Sequence, residues 1–449
     1  MTDPRPADPS APAVCVDVGS CWTKAVLVHP DGSLAGSAEH PTTAEDVLAG
    51  VDAAVAGAAA ASGRPGAPAP EVLACSSAGG SLRLAVVGVE RLAAVEAAHQ
   101  VCRSAGARVV HVHAGPLEGG AVRELRSNRP GVVLLLGGSD GDDPEVLLHN
   151  ASRLARARGR YPVVLAGNAE ARDDALGLLR STGRTVTACP NVAPRPGEIA
   201  PDAARAAVAE LYSNHVLGLA VGPGGPRFRR LVSTRTPVAV GDGVVALARA
   251  AGTRVVVVDV GSATTDVHSA GPYDAVALAT VEGDLGVRSS ATGVLVEAQT
   301  EGVVDPVEAD LLAPSVEALA ASGPSAPADR GSAAEDRRLA ALASVVALRR
   351  HLRRRDADAG SGSGRPSGGG SGGGEIGLVV LTGGVFRQRD AAGLAAVAET
   401  VRHDPVLMGP LAGVPVRVDS GSVLAPAGLL AAHGRAPAAE TLLRDHLLD

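Results

Sequence analysis

Asp17-Val18-Gly19-Ser20-Cys21-Trp22-Thr23-Lys24 and Asp259-Val260-Gly261-Ser262-Ala263-Thr264-Thr265-Asp266 share one pattern, 242 residues apart. Each ends an apolar run on a carboxylate, turns through Gly-Ser and places a hydroxyl at the start of the next run. Glycine in such a turn lets backbone N–H groups approach an anion closely, and successive N–H groups form an anion-holding nest. Serine and threonine hydroxyls add donors. An aspartate at that place cannot bind phosphate, but it can hold hydrated Mg²⁺, which takes one or two carboxylates plus water. One D-x-G-S alone reads as a plain hairpin, because Asp and Gly are ordinary turn residues. Two copies in the same setting point to a nucleoside triphosphate.

The setting is a three-stranded meander. Strands are expected at 14–18, 23–29 and 33–37, with turns at Gly19-Ser20 and Pro30-Asp31-Gly32. The pattern returns at 254–259, 265–269 and 274–280, with turns at Gly261-Ser262 and Gly271-Pro272. A repeat of roughly 240 residues is too long for a solenoid and implies two similar lobes. Elsewhere short Val/Leu runs alternate with Ala-rich helical stretches, the pattern of an α/β protein. Between the meanders, strands at 82–89, 108–113, 132–136, 163–166 and 185–188 predict a doubly wound α/β insertion. Within it, Gly137-Gly138-Ser139-Asp140-Gly141 reads equally as a ligand or partner crevice and as a strand-to-helix turn capped by Asp142 or Asp143. His111, His113, His149 and His215 have no metal spacing.

A third element follows. Residues 376–381 form an apolar strand ending in Thr382-Gly383-Gly384-Val385, where two glycines let a flat base or ribose lie against backbone. Near the end, Val423-Leu424-Ala425-Pro426-Ala427-Gly428-Leu429-Leu430 is a small-residue helix of the kind needed where two helices cross closely. In this order the elements resemble the signatures of the actin-like (ribonuclease H-like) ATPases, which include acetate and sugar kinases, chaperone ATPases and actin. The signatures are two phosphate loops, an adenosine loop and two small-residue connectors, the first connector here being Glu282-Gly283-Asp284-Leu285-Gly286. There is no Walker A sequence, so a P-loop fold is not supported.

A narrower resemblance covers about residues 13–435. The opening D-x-G-S-x-x-T-K, Leu73-Ala74-Cys75-Ser76-Ser77-Ala78-Gly79-Gly80, Leu134-Leu135-Leu136-Gly137-Gly138-Ser139-Asp140-Gly141, Cys189-Pro190-Asn191-Val192 and Leu381-Thr382-Gly383-Gly384-Val385-Phe386-Arg387 resemble the glutamate mutase L family. That family is unrelated to the DNA mismatch-repair protein that shares its abbreviation. It is encoded beside the subunits of an adenosylcobalamin-dependent mutase and is similar to the reactivating factors of cobalamin-dependent dehydratases. Its members usually carry a second glycine after Gly141, where this chain has Asp142; the Gly/Ser-rich stretch at 359–374 is also unusual.

The resemblance implies ATP and Mg²⁺ as cofactors, a mutase subunit as partner, and ATP-driven lobe movement as the means of reactivation. Asp17 and Asp259 would position Mg²⁺, and Gly19, Ser20, Gly261, Ser262, Thr264 and Thr265 would hold phosphates. Thr23 and Lys24 would add a hydroxyl and an ammonium. Asp266 would serve the attacking water or the metal, and Gly383 and Gly384 would face adenosine. Two enzymatic alternatives share the superfamily. A small-molecule kinase needs an acceptor pocket and a base, and no acceptor motif is evident. An activator of 2-hydroxyacyl-CoA dehydratases shares a D-x-G-S-x-x-x-K opening but uses cysteines to hold an iron–sulfur cluster. From a third class, a non-catalytic scaffold would bind ATP structurally.

Composition narrows the partners. The 449 residues are long enough for two or three domains, and 46% hydrophobic content allows sizeable cores. Only 1% is aromatic, so those cores must be Val, Leu and Ala. Aromatic scarcity and a formal charge of −7 argue against nucleic acid, which needs stacking platforms or a basic field. The five cysteines, Cys15, Cys21, Cys75, Cys102 and Cys189, form no C-x-x-C pair and suggest neither zinc nor a disulfide framework. Cys15 reads as a small buried hydrophobe. The polar, Pro-rich opening lacks the apolar core of a signal peptide, and apolar runs are strand-length; a cytoplasmic protein without membrane contact is expected.

The expected divisions are a tail at 1–12, a first part of lobe I at 13–75, an inserted region at 76–200 and a helical connector at 201–250. Lobe II follows at 251–435, with flexible insertions at 321–335 and 359–374, and a C-terminal helix at 436–449. The Gly/Ser insertion has nothing to bury.

Overall fold

The computed structural model describes residues 11–448, except 44–45, 64–69, 79–80, 103–104, 158, 160, 220–224, 322–329, 361–374 and 388–389. The tail over 1–10, Gly79-Gly80 and the Gly/Ser stretch beyond Gly360 therefore lie outside the described residues. The chain divides into two compact units. The first is Met1–Gly80, Val216–Thr280 and Leu285–Asp449; the second is Ser81–His215 with Val281–Asp284.

The first unit opens with strands β1 (Ala13–Val18), β2 (Trp22–Val28) and β3 (Leu34–Pro41), helix α1 (Val47–Ala61) and strand β4 (Glu71–Ser76). The second unit alternates β5 (Leu82–Gly88), α2 (Arg91–Cys102), β6 (Ala107–Ala114), α3 (Gly119–Ser127), β7 (Val132–Leu135), α4 (Glu145–Arg156), β8 (Val163–Leu165), α5 (Arg172–Arg180) and β9 (Val186–Ala188), and α6 (Asp202–Leu219) leads out of it. The chain then returns to the first unit through α7 (Gly225–Leu231), β10 (Val232–Arg235) and α8 (Thr236–Ala251). The second meander is β11 (Arg254–Val260), β12 (Thr265–Ala270) and β13 (Leu278–Glu282). Helices α9 (Ala291–Thr300), α10 (Pro306–Ala321) and α11 (Arg330–Gly360) follow, then β14 (Ile376–Thr382), α12 (Ala391–Arg402), β15 (Val416–Val418), α13 (Leu424–Ala432) and α14 (Ala436–Leu443).

Duplication is visible in the topology. One sheet runs β10-β4-β1-β2-β3 and the other β15-β14-β11-β12-β13. In each, the first strand pairs antiparallel with the second and parallel with the strand after the helical excursion. The chain thus has the duplicated α/β lobes of the actin-like fold. Strand alternation explains why the central runs are apolar throughout: both faces are covered. On β1, Ala13 and Cys15 face the layer between the sheets, while Val14, Val16 and Val18 pack with α1. On β11, Val255 and Val257 face that same layer, while Val256, Val258 and Val260 pack with α9, α11 and α12. The alternation puts Asp17 and Asp259 on the inter-sheet face, each one residue before the end of its strand.

That layer is filled by α8 and α13. Their crossing is closer than side chains allow: a Cβ on Gly243 would collide with the Leu424 carbonyl, and one on Gly428 with the Ala239 carbonyl. The small-residue helix near the end thus does cross a partner closely. Its partner is α8; the segment expected to be the first connector is 282–286. Of that segment, residues 281–284 group with the second unit, where Gly283 lies against Ala107. The connector expected at 201–250 is also not wholly helical, because β10 extends the first sheet beside β4. Four residues, Val-Ser-Thr-Arg, carry too little pattern to announce a strand.

The second unit is a single parallel sheet ordered β6-β5-β7-β8-β9, a doubly wound arrangement. In lobe II the polar break expected at 321–335 is narrower, because α11 begins at Arg330 and already buries Ala333 and Asp336. The C-terminal segment forms α14 and a final turn at Arg444–Leu448. No helix among the described residues is long and apolar enough to cross a membrane.

The α8–α13 crossing inverts a usual rule. Gly→Ala inside a helix ordinarily gains about 0.5–1 kcal/mol. Gly428→Ala should instead destabilise by about 1–3 kcal/mol through overpacking, whereas Gly177→Ala, whose Cβ on α5 meets nothing within 4 Å, should stabilise. Urea denaturation of both variants checks this; a stabilised Gly428→Ala would mean that the helices are free to separate.

Candidate functional site

The two glycine–serine turns are built alike. Strand pairing sets Asp17 opposite Lys24 and Val18 opposite Thr23; in lobe II it sets Asp259 opposite Asp266 and Val260 opposite Thr265. The Gly19 N–H closes the first turn on the Trp22 carbonyl at 3.0 Å, and the Gly261 N–H closes the second on the Thr264 carbonyl at 2.8 Å. A Cβ at either glycine would lie within 3 Å of that carbonyl, so a side chain is excluded at both. The turns meet: the Ser20 and Ser262 hydroxyls are 2.8 Å apart, 242 residues apart in sequence.

Below them a cavity is lined by Asp17, Lys24, Asp259 and Thr382, with Cys15, Val26, Val240, Ser422, Leu424, Ala425 and Pro426 completing its wall. Lys24 Nζ lies 3.5 Å from Asp17 Oδ2. Asp17 also accepts a 2.6 Å hydrogen bond from Thr236 Oγ1, at the first turn of α8. Asp259 borders the cavity, yet burial pushes its pKa up to about 6; Lys24 opposes the rise, and Asp17 and Asp419 add to it. Asp419 is itself buried and raised above the usual carboxylate range by that burial. It accepts from Thr382 Oγ1 at 3.0 Å and from the Val423 N–H at 3.0 Å, tying β14 to the start of α13.

Of the expected site residues, Asp17, Lys24 and Asp259 reach the cavity, and Ser20 and Ser262 reach each other. Thr23 and Thr265 are turned away. Thr23 is buried with its hydroxyl 2.8 Å from that of Thr42, and Thr265 is buried donating to the Leu285 carbonyl. They occupy equivalent positions, and strand alternation sends both to the face opposite Asp17 and Asp259. Thr264 is half-buried beside the second turn, and Asp266 is buried on β12. Gly383, at φ +127°, packs against the Val260 carbonyl so closely that a Cβ would collide, whereas a Cβ on Gly384 would meet nothing within 4 Å. The first glycine serves backbone packing; the second leaves open space.

Sequence reading missed Thr236, Thr382, Asp419 and Ser422. One signal was present: Asp419-Ser420-Gly421-Ser422 is a third D-x-G-S, again directly after a short valine-containing run. In the second unit, the Gly137–Gly141 loop is tied to its neighbours. Asp140 Oδ1 accepts from the Ala169 N–H at 2.7 Å and from Asn191 Nδ2 at 2.9 Å. Asp142 accepts from the Ser139 N–H at 2.8 Å, and Asp143 accepts from the Glu145 N–H, at the start of α4, at 2.9 Å. These bonds fit the capped-turn alternative. Cys15 is buried, its thiol pushed up to about 12 by desolvation. No cluster of three or more His, Cys, Asp or Glu suited to a metal occurs among the described residues.

The raised Asp259 has a definite pH consequence. A carboxyl whose folded pKa is raised contributes stability below its unfolded value, about 3.8, and loses it as pH climbs through about 6. Asp259→Asn keeps the shape and removes the ionisation. The melting temperature of this variant minus that of the wild type should therefore rise from about pH 5 to about pH 8. A difference unchanged across that window would show that burial does not perturb Asp259.

Comparison with known proteins agrees with the motifs. The family described as MutL protein matches residues 13–447. "Protein MutL" of Clostridium tetanomorphum is 30% identical over 296 residues, covering 62% of this chain and 64% of that protein; the chain thus spans under two thirds of that relative's length. Among solved structures, ethanolamine utilization protein EutJ from Carboxydothermus hydrogenoformans matches at 12% identity and a TM-score of 0.27, covering 98% of this chain and 92% of that one. The (R)-2-hydroxyglutaryl-CoA dehydratase component A of Acidaminococcus fermentans matches at 9% identity and a TM-score of 0.29, covering 97% of this chain and 99% of that one. Likenesses so distant carry no weight for function. The family match spans almost the whole chain, both glycine–serine turns and the third strand-end element included, and on that ground the chain belongs to the MutL protein family, the glutamate mutase L family its motifs resemble.

Proposed function

We propose that this protein binds Mg-ATP between its lobes and uses the resulting lobe movement to reactivate an adenosylcobalamin-dependent mutase. The observation that carries the nucleotide reading is the convergence of Asp17 and Asp259 on one cavity beneath two equivalent turns joined through Ser20 and Ser262. The charged side chains of that cavity suit a metal–polyphosphate, with the Asp17 and Asp259 carboxylates for a hydrated cation and the Lys24 ammonium for an anion.

In this reading Asp17 and Asp259 hold hydrated Mg²⁺, which neutralises phosphate charge when bound. Lys24 screens the two carboxylates from each other and offers its charge to phosphate. Ser20, Ser262 and Thr264 exchange their mutual or solvent contacts for phosphate oxygens, and Asp266 orients the attacking water or the metal shell. Gly384 leaves room for adenosine. Thr236 holds Asp17, so a change at the Asp17 carboxylate pulls on α8, which crosses α13 without intervening side chains. That linkage supports coupling between nucleotide state and lobe arrangement. The role of the partner rests on family membership.

Mg-ATP should raise the melting temperature, because ligand at a hundredfold excess over Kd contributes about 2.7 kcal/mol. Asp17→Asn and Asp259→Asn should each lower ATP turnover at least about tenfold, since each removes a metal-positioning charge. Absence of any thermal shift with millimolar Mg-ATP or Mg-ADP would refute nucleotide binding.

A mutase partner should bind with different affinity in the ATP and ADP states, by about 5–150-fold for a coupling of about 1–3 kcal/mol. Titration against cobalamin-dependent mutases in each state, followed by rescue of mutase inactivated with a cobalamin analogue, measures it. Equal binding and no ATP-dependent rescue would remove the reactivating role and leave the nucleotide site standing.

A further inference from the structure

The third D-x-G-S turn does not behave as an ordinary connection. Asp419 directly follows β15, Gly421 and Ser422 come next, and α13 begins at Leu424. Ser422 has φ +52°, the left-handed region, one of two non-glycine residues with positive φ among the described residues. A side chain in that region is strained, and such strain persists only where the surroundings impose it. The surroundings are identifiable. Asp419 anchors the turn by accepting from Thr382 Oγ1 and from the Val423 and Leu424 N–H groups. The Ser422 N–H also points back to the Asp419 carbonyl, at 3.4 Å.

The hydroxyl that results is unusual in a second way. Ser422 Oγ is buried and makes no hydrogen bond to any described residue, although a hydroxyl can donate one bond and accept two. Leaving it so is unfavourable, because a buried polar group without a partner forfeits its hydration. Ser422 lines the same cavity as Asp17, Asp259 and Thr382. Strain and an unmet hydroxyl meet at one residue on the wall of that cavity.

We propose that the Asp419–Ser422 turn is a third arm of the nucleotide cavity, with Ser422 Oγ hydrogen-bonding the bound nucleotide and Asp419 positioning the turn. This rests on the nucleotide reading above. It differs in assigning ligand contact to a residue that neither phosphate turn contains. In each lobe the D-x-G-S turn follows the first strand; this third copy follows the last strand of lobe II. Its side chain lines the cavity together with Leu424, Ala425 and Pro426 of α13.

Three variants test it by isothermal titration with Mg-ADP and Mg-ATP. Ser422→Ala removes the hydroxyl and keeps the strain; Ser422→Gly removes both, since glycine adopts positive φ without steric cost. Both should bind nucleotide about tenfold more weakly than wild type, the usual scale for a hydrogen bond to a charged group. Ser422→Gly should also raise the melting temperature of the ligand-free protein. Ser420→Ala, at the exposed hydroxyl of the same turn, should bind as wild type does. Should Ser422→Ala fold poorly, Ser422→Gly carries the test alone. Wild-type affinity in either Ser422 variant overturns the proposal while leaving the nucleotide site intact. A wild-type protein that binds neither nucleotide overturns the cavity reading itself and the proposal with it.

Discussion

The first unit depends on one contact, the crossing of α8 and α13 at bare glycines. Each helix presses backbone to backbone, Gly243 on the Leu424 carbonyl and Gly428 on that of Ala239. Interaxial distance follows the side chains at the contact, so glycine sets the shortest one available. Because both helices lie between the sheets, that distance fixes how near β1 and β11 approach. The nearness lets Asp17 and Asp259 line one cavity and lets the Ser20 and Ser262 hydroxyls touch. A helix pair held a side chain's width further apart would leave two separate hairpins.

The two lobes share strand order and turn geometry but not charge. The residue across from the equivalent carboxylate is Lys24 in lobe I and Asp266 in lobe II. Lobe I therefore carries an ion pair at the cavity, Asp17 with Lys24. Lobe II brings Asp259 to the cavity with a second carboxylate, Asp266, across from it on the sheet, and Asp419 stands nearby. The asymmetry gives the site an unbalanced negative wall on one side and a lysine on the other. Such a wall favours a cation between the lobes, and the lysine keeps an anion attractive.

Lobe II also shows how a chain nearly without aromatic residues builds a firm core. Its longest helix, α11, is buried along Ala340–Leu348 by Ala, Val and Leu. Its position is then specified by buried ion pairs, Arg288 with Asp336 at 2.6 Å, Arg349 with Asp404 at 2.5 Å and Arg350 with Glu297. Pairs of this kind add little net stability over apolar residues, but removing one partner leaves a costly buried charge. They penalise alternative packings of small, interchangeable side chains.

Much of this was legible from residue order alone. Local spacing was enough for the two turns, the meanders, the apolar central strands and the parallel sheet of the second unit, because strand periodicity and turn chemistry act over a few residues. Asp17, Lys24 and Asp259 were identifiable for the same reason. Tertiary structure decided the rest. It chose α8 as the partner of α13, turned Thr23 and Thr265 away from the site, gave β10 to the first sheet, and brought Asp419 and Ser422 to the cavity. Those outcomes rest on which face of a strand meets which helix, and on segments more than a hundred residues apart being pressed together at a crossing. No spacing rule encodes that. The third D-x-G-S stands in the chain as plainly as the other two, but only the packing of β15 against β14 and α13 shows that it faces the same cavity.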